Sequence, residues 1–197
     1  MRLAQETTTP RSTMQVAVDP YTPIRRSGFE PLRQGHFMRD DLLRFMELKN
    51  VQRAGWVRSG VQSPESVAAH SWGMAVLALK LCPEGLDLTE VLKLCLVHDL
   101  PEVIVGDLTP YDDTSTKAAD ERTAMESLAP EWVEHFDAYE GQTTPEARFV
   151  KSLDKLDMGL QALVYQNTQS LDLGEFLTSA RRPLPPELAE LLDEPSE

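Results

Sequence analysis

The chain has 197 residues, a formal net charge of −13, 41% hydrophobic and 26% charged residues, enough for one domain whose core needs no disulfide. Residues 1–60 carry 10 Lys/Arg against 6 Asp/Glu and residues 61–197 carry 9 against 26, which argues against a nucleic-acid polymer as partner, since polyanions need a broad basic surface. A small phosphate-bearing ligand stays open, because one or two arginines and a metal can hold it locally.

The longest apolar run near the centre is broken by Lys93 and ended by His98-Asp99, so no membrane span of about 20 residues is expected. Cys82 and Cys95 both lie in apolar helical patterns, and no stretch has the basic start, apolar centre and small-residue end of an export signal. These features point to a reduced, cytoplasmic protein.

Residues 1–36 are rich in Thr, Pro and Arg without a sustained period and read as a flexible or extended tail. From Phe37 the pattern is helical, with Phe37, Leu42, Leu43, Phe45, Met46 and Leu48 on one face, and a loop follows to Gln62. Ser63-Pro64-Glu65 offers an N-cap, a proline at the first helical position and an acid in the first turn, predicting a helix to about Cys82. Asp87 with Glu90 resembles a capping box, and Val91 to Val97 is apolar nearly all round, predicting the most buried helix. Thr114 or Ser115 opens a helix to Leu128, Pro130 another to Gly141, and Thr144-Pro145-Glu146 a long one to about Gln166. Residues 171–197 read as a short C-terminal helix and an acidic tail. Six or more helical patterns without an alternating strand predict an all-α, single-domain helical bundle.

His70 shares the stripe Val67, His70, Met74, Leu77, Leu81, and His98 shares one with Val91, Leu94 and Cys95, so both imidazoles are expected to point inward. One inward histidine is most simply a hydrogen-bonded core side chain. Two on successive helices shift the balance, because Asp99 follows His98 at the end of the most buried helix and Asp154 interrupts the inward side of Phe149, Val150, Leu153 and Leu156. Carboxylates buried beside imidazoles are what a divalent metal needs, and two nitrogens plus two carboxylate oxygens suit a six-coordinate ion that keeps some waters. On the residues alone, Glu102 reads equally as a surface acid. Asp107 reads as a turn acid, and Arg53 and Trp56 as a solvated arginine beside a core tryptophan.

The order His, His-Asp, Asp resembles the HD-domain metal phosphohydrolase superfamily. The segments Gly55-Trp56-Val57-Arg58, Pro64 to His70, His98-Asp99-Leu100-Pro101-Glu102, Val105-Gly106-Asp107 and Phe149 to Asp154 are similar to the branch containing bacterial 5′-deoxynucleotidases and HD domain-containing protein 2. The resemblance covers residues 37–170 and implies a bundle of the HD-domain type holding one divalent ion (Mn, Co, Mg, Fe or similar) on His70, His98, Asp99 and Asp154. It further assigns Glu102 to the attacking water, Arg53 to the 5′-phosphate with Arg58 as substitute, Trp56 to the sugar and Asp107 to its 3′-hydroxyl. Asp157 is left as either a carboxylate behind a ligand or a solvated acid. His36 and His135 are expected on the surface, and Lys151 and Lys155 paired with acids along their helix.

The implied activity is hydrolysis of (deoxy)nucleoside 5′-monophosphates to nucleoside and inorganic phosphate by a 5′-deoxynucleotidase-like phosphatase, expected as a homodimer. A relative acting on nucleoside di- or triphosphates or a specialised analogue is the nearest alternative. A di-iron oxygenase or cyclic-dinucleotide phosphodiesterase would need more histidines than His135 between Asp99 and Asp154. A non-catalytic nucleotide-binding module would be marked by a missing ligand or a missing Glu102.

Overall fold

The computed structural model describes residues 36–193, with side chains from Arg39 onward. The tail expected over residues 1–36, the last four acidic-tail residues and the side chains of His36 and Phe37 lie outside the described residues, although the backbone of His36 opens the first helix. Among the described residues every regular element is an α-helix or a 3-10 turn, and extended pairing is confined to one antiparallel bridge between Gln52 and Ser66. No described helix is long and apolar enough to cross a membrane.

Helix α1 (His36–Glu47) runs into a 3-10 turn over Leu48–Asn50. Its apolar face is used only in part: Leu48 is buried and Phe45 stacks on Trp132 at 5.6 Å, while Leu42, Leu43 and Met46 are exposed. A five-residue helix, α2 (Ala54–Arg58), occupies the expected loop, being too short for a 3.6-residue period to register.

The next helix begins later than its proline signal indicates. Helix α3 spans Val67–Leu81 with Ser66 as N-cap, its hydroxyl accepting from the Ala69 N–H. The residues before it stay extended because the Arg53 N–H donates to the Glu65 carbonyl at 3.1 Å and the Val67 N–H to the Val51 carbonyl at 2.8 Å. That pairing satisfies backbone groups that a helix starting at Pro64 would have to satisfy itself.

Helix α4 (Leu88–Val97) starts as expected, Asp87 accepting from the N–H groups of Thr89 and Glu90. It is buried along one side rather than nearly all round, since Val91, Leu94 and Cys95 are inaccessible but Leu96 is exposed. It ends before His98, and a turn carries the chain into the short α5 (Glu102–Val105). Helix α6 (Lys117–Leu128) is followed by a 3-10 turn at Pro130–Trp132 and by α7 (Val133–Gly141). The Thr144 hydroxyl caps α8 (Pro145–Gln169) through the Ala147 N–H, and Ser170 ends it in the left-handed region at φ 55°. Two further helices close the described chain, α9 (Gly174–Arg181) and α10 (Pro186–Ala189), the latter leading into a 3-10 turn at Glu190–Leu192.

Helices α3, α4 and α8 meet through Met74, Ala78, Leu94, Cys95, Val150 and Leu153, all without exposed surface. Removing a side chain of the size of Met74 or Leu94 from such a place costs about 2–5 kcal/mol. Farther along α8, Leu156 packs with Ala180, Leu184 and Leu192. Gly159 makes that closure possible, because a Cβ there would lie 2.7 Å from Leu192 Cδ1. The result is a rigid frame in which α3, the end of α4, and α8 point polar side chains at a common place.

Candidate active site

His70 comes from α3 and His98 from the turn after α4, and they are 0% and 3% exposed. Each uses Nδ1 on a neighbour, His70 with Asp157 Oδ2 at 2.7 Å and His98 with the Cys95 carbonyl at 3.1 Å. A carbonyl only accepts, so His98 Nδ1 carries a proton and, in the neutral ring, Nε2 presents a lone pair; Asp157 likewise holds a proton on His70 Nδ1, so the neutral His70 ring offers Nε2 as a ligand. Both Nε2 atoms are buried without a hydrogen-bond partner, an arrangement that is costly unless something else occupies the lone pairs.

The two rings lie 5.7 Å apart, and with a carboxylate oxygen of Asp154 their nitrogens form a trio of donor atoms within 4.8 Å of one another. Asp154 Oδ1 is 3.3 Å from His70 Nε2, and Asp99 Oδ2 is 3.1 Å from His98 Nε2 and 3.9 Å from His70 Nε2. Asp99 is also engaged by Arg53, whose Nη1 is 3.3 Å from Oδ2. Two orphaned imidazole nitrogens and two carboxylates opening onto a cavity fit a divalent cation that keeps room for water or substrate. His70, His98 and Asp154 form the compact donor set, while Asp99 is shared between the two histidines and Arg53.

The charges around this place shift one another. Burial opposes ionisation of Asp154 and Asp99, yet His70 and Lys155 beside the first, and His98 and Arg53 beside the second, hold both well below the usual carboxylate range. Burial and Arg53 press the His70 imidazole down, but Asp154 and Asp157 outweigh them and it is pushed up to about 9. Burial, then Asp99 and Asp107, push Glu102 up to about 10 against the opposing charges of Arg53 and Lys117. Arg53 is raised despite its burial, because Asp99, Asp107, Asp154 and Glu102 all favour its charged form.

Of the residues singled out by sequence, Arg53, Trp56, His98, Asp99, Glu102, Asp107 and Asp154 line one cavity of about 950 Å³, and His70 lies beneath it against Asp154. Glu102 is not a surface acid: it is 3% exposed and its Oε2 has no hydrogen-bond partner. It sits in the short α5, its N–H donating to the Asp99 carbonyl at 3.1 Å. Asp107 follows Gly106, which takes φ 80°, and accepts the Ala54 N–H at 2.5 Å, so it is fixed beside Arg53. Trp56 is 2% exposed and is built into the wall, stacked on Phe176 at 4.3 Å, edge-on to Tyr165 at 5.4 Å, and donating from Nε1 to Glu65 at 2.9 Å. Arg58, the substitute for Arg53, is instead paired with Asp112.

Three further side chains take part in the site. Lys155 and Lys151 do meet an acid on their own helix, but that acid is Asp154, at 3.3 and 4.0 Å. Tyr139 packs on the His98 ring at 4.7 Å and donates to Asp154 Oδ2 at 3.4 Å. The position three residues before Asp154 and its immediate successor were the available clue to the lysines. Nothing local marks Tyr139, whose role depends on how α7 meets α8. His135 lies apart from the cavity, paired with Glu90 at 2.6 Å.

The profile of the HD domain family matches residues 45–192. Over 144 residues the chain is 41% identical to the 5′-deoxynucleotidase HDDC2 of Bos taurus, covering 66% of this chain and 70% of that protein. It is 40% identical over 149 residues to the protein of the same name from Homo sapiens, covering 68% and 72%. Among solved structures, a conserved hypothetical protein from Pyrococcus furiosus superposes with a TM-score of 0.67 at 34% identity, over 78% of this chain and 95% of that one. The matched span begins within α1 and ends at the turn that seals α8, so it takes in every helix that contributes to the cavity, and the chain belongs to the HD domain family.

Proposed function

We propose that this protein is a metal-dependent phosphomonoesterase that hydrolyses (deoxy)nucleoside 5′-monophosphates to nucleoside and inorganic phosphate. The observation that carries the reading is the pair of buried, unpartnered Nε2 atoms of His70 and His98, converging with Asp154 at a cavity that also holds Arg53 and Glu102. The names of the relatives favour the nucleoside monophosphate over other phosphate esters.

His70, His98, Asp99 and Asp154 are the residues that would hold a divalent ion. A divalent ion bound there supplies a Lewis acid that lowers the pKa of water and offsets phosphoryl charge, and its charge opposes the rise that Asp99 and Asp107 impose on Glu102. Glu102, buried and with one oxygen uncommitted, takes the proton of the attacking water and returns one to the leaving oxygen. Arg53 neutralises the phosphate with a guanidinium that stays charged in every relevant condition. Asp107, fixed by the Ala54 N–H, receives the sugar 3′-hydroxyl. Trp56 closes the wall near C2′, which disfavours ribose by up to about 10²-fold, the scale of rejection an apolar wall gives an added hydroxyl.

The test is a turnover screen over nucleoside mono-, di- and triphosphates with Mn²⁺, Co²⁺ and Mg²⁺, following phosphate and nucleoside together. Equimolar nucleoside and phosphate from deoxynucleoside monophosphates is expected. Inorganic triphosphate as product would replace this reading with that of a triphosphohydrolase, and pyrophosphate with that of an enzyme cutting nucleoside di- or triphosphates to release pyrophosphate.

A further inference from the structure

Asp157 follows Asp154 by three residues, so α8 presents both carboxylates to α3. Asp154 meets the Nε2 side of His70, and Asp157 meets the other edge of the same ring, Oδ2 lying 2.7 Å from Nδ1. The two carboxylates bracket a side chain that has no exposed surface. Another acid is near this edge, since Glu65, His70 and Asp157 have ligand atoms within 4.8 Å of one another. Glu65 Oε1, however, receives the Trp56 Nε1 proton at 2.9 Å, which leaves Asp157 as the partner of Nδ1.

Asp157 can come this close because of what α3 lacks. A Cβ on Gly73 would overlap Asp157 Oδ1 and come within 3.2 Å of its Cγ. Gly73 lies inside α3 and does not take positive φ, so no turn or left-handed conformation calls for glycine there, and glycine weakens a helix interior relative to alanine. The space it leaves is the remaining reason for it. His98 needs no such device, because its Nδ1 is held by the Cys95 carbonyl, three residues back in the same chain segment.

We propose that Gly73 and Asp157 act as one positioning device: the glycine opens a seat in α3, the carboxylate fills it, and its bond to Nδ1 fixes His70 with Nε2 aimed at the ion. The role rests on His70 being a metal ligand. Partners of this kind typically change metal affinity by about 10- to 100-fold.

The test measures Mn²⁺ affinity by equilibrium dialysis for the wild type, Asp157→Ala, Gly73→Ala and the double variant. A second readout is the exchange of the His70 Nδ1 proton in metal-free, ¹⁵N-histidine-labelled protein, which needs neither metal nor substrate. Each single substitution is expected to weaken Mn²⁺ binding about 10- to 100-fold and to speed exchange of the Nδ1 proton. The double variant is expected to bind Mn²⁺ no worse than Asp157→Ala, because once the carboxylate is gone an alanine at 73 meets nothing. It is also expected to melt above Asp157→Ala, so it carries the comparison should Gly73→Ala alone not fold. Additive losses in the double variant, or an Nδ1 proton unmoved by Asp157→Ala, would overturn the pairing. A wild type that binds no Mn²⁺ while its Nδ1 proton is protected would instead overturn the ligand reading of His70.

Discussion

Arg53 and Asp99 share a contact of 3.3 Å between Nη1 and Oδ2, which joins the group assigned to the phosphate to a group assigned to the metal. On the proposed reading, an incoming phosphate would meet a guanidinium already oriented by Asp99. Arg53→Ala should lower kcat/KM for dAMP by about 10- to 150-fold, the equivalent of about 1.5–3 kcal/mol for a hydrogen bond to a charged group. Metal affinity should hold or improve, since Asp99 loses a competing cation. A kcat/KM within twofold of wild type would remove Arg53 from the phosphate site.

Removing Asp154 takes away the carboxylate beside His70 Nε2 and the third member of the compact ligand set, so Asp154→Ala should lose both bound metal and turnover. In the wild type, metal at 100 times its Kd should add about 2.7 kcal/mol of stability, raising Tm by roughly 5 to 10 °C. The Asp154 variant should show no such rise. A metal-dependent Tm shift equal to that of wild type would contradict the assignment.

Glu102→Gln preserves size and burial while removing the basic oxygen. Turnover should fall by about 10²- to 10⁴-fold with metal content unchanged, measured as kcat at saturating metal and substrate beside metal analysis of the same sample. Near-normal kcat would leave Glu102 without its role as base.

Trp56 is held by Phe176, Tyr165 and Glu65, so truncation to alanine would cost about 3–5 kcal/mol of packing. Trp56→Phe is the cleaner change. It frees space beside the sugar and should narrow the dAMP to AMP ratio of kcat/KM even where both values fall. An unchanged ratio would make Trp56 wall packing only.

Burial pushes the Cys95 thiol up to about 12, while Cys82 is partly accessible. The native state keeps the Cys95 proton at a pH where the unfolded chain has begun to lose it. This contribution to stability is thus complete below pH 9 and lost as pH rises toward 12. At pH 8 a thiol reagent should label Cys82 alone in the native protein and Cys95 only after denaturation. Equal native rates for the two thiols would contradict the burial.

The elements whose information is local were legible in the sequence. Asp87 and Thr144 cap the helices their spacing announces, and the inward stripe of α3 delivered His70 to the core. What was not legible depends on contacts distant in the chain. The bridge between Gln52 and Ser66 moves the start of α3, and α9 owes its place to Phe176 meeting Trp56, 120 residues earlier. Gly73 looks like an accident of composition until α8 is laid against α3.

Helix α8 carries Asp154 and Asp157 at one level and Gly159, the seat of Leu192, just beyond. The two features are locked in angular phase, because each residue turns an α-helix by about 100°. Point substitutions between them leave that phase intact, whereas adding or deleting one residue would turn either the acids away from His70 or the glycine away from Leu192. A seven-residue insertion, which falls only about 20° short of two full turns, keeps the angle but shifts the seat by roughly 10 Å. The length of this segment is therefore constrained, as well as the residues that point inward from it.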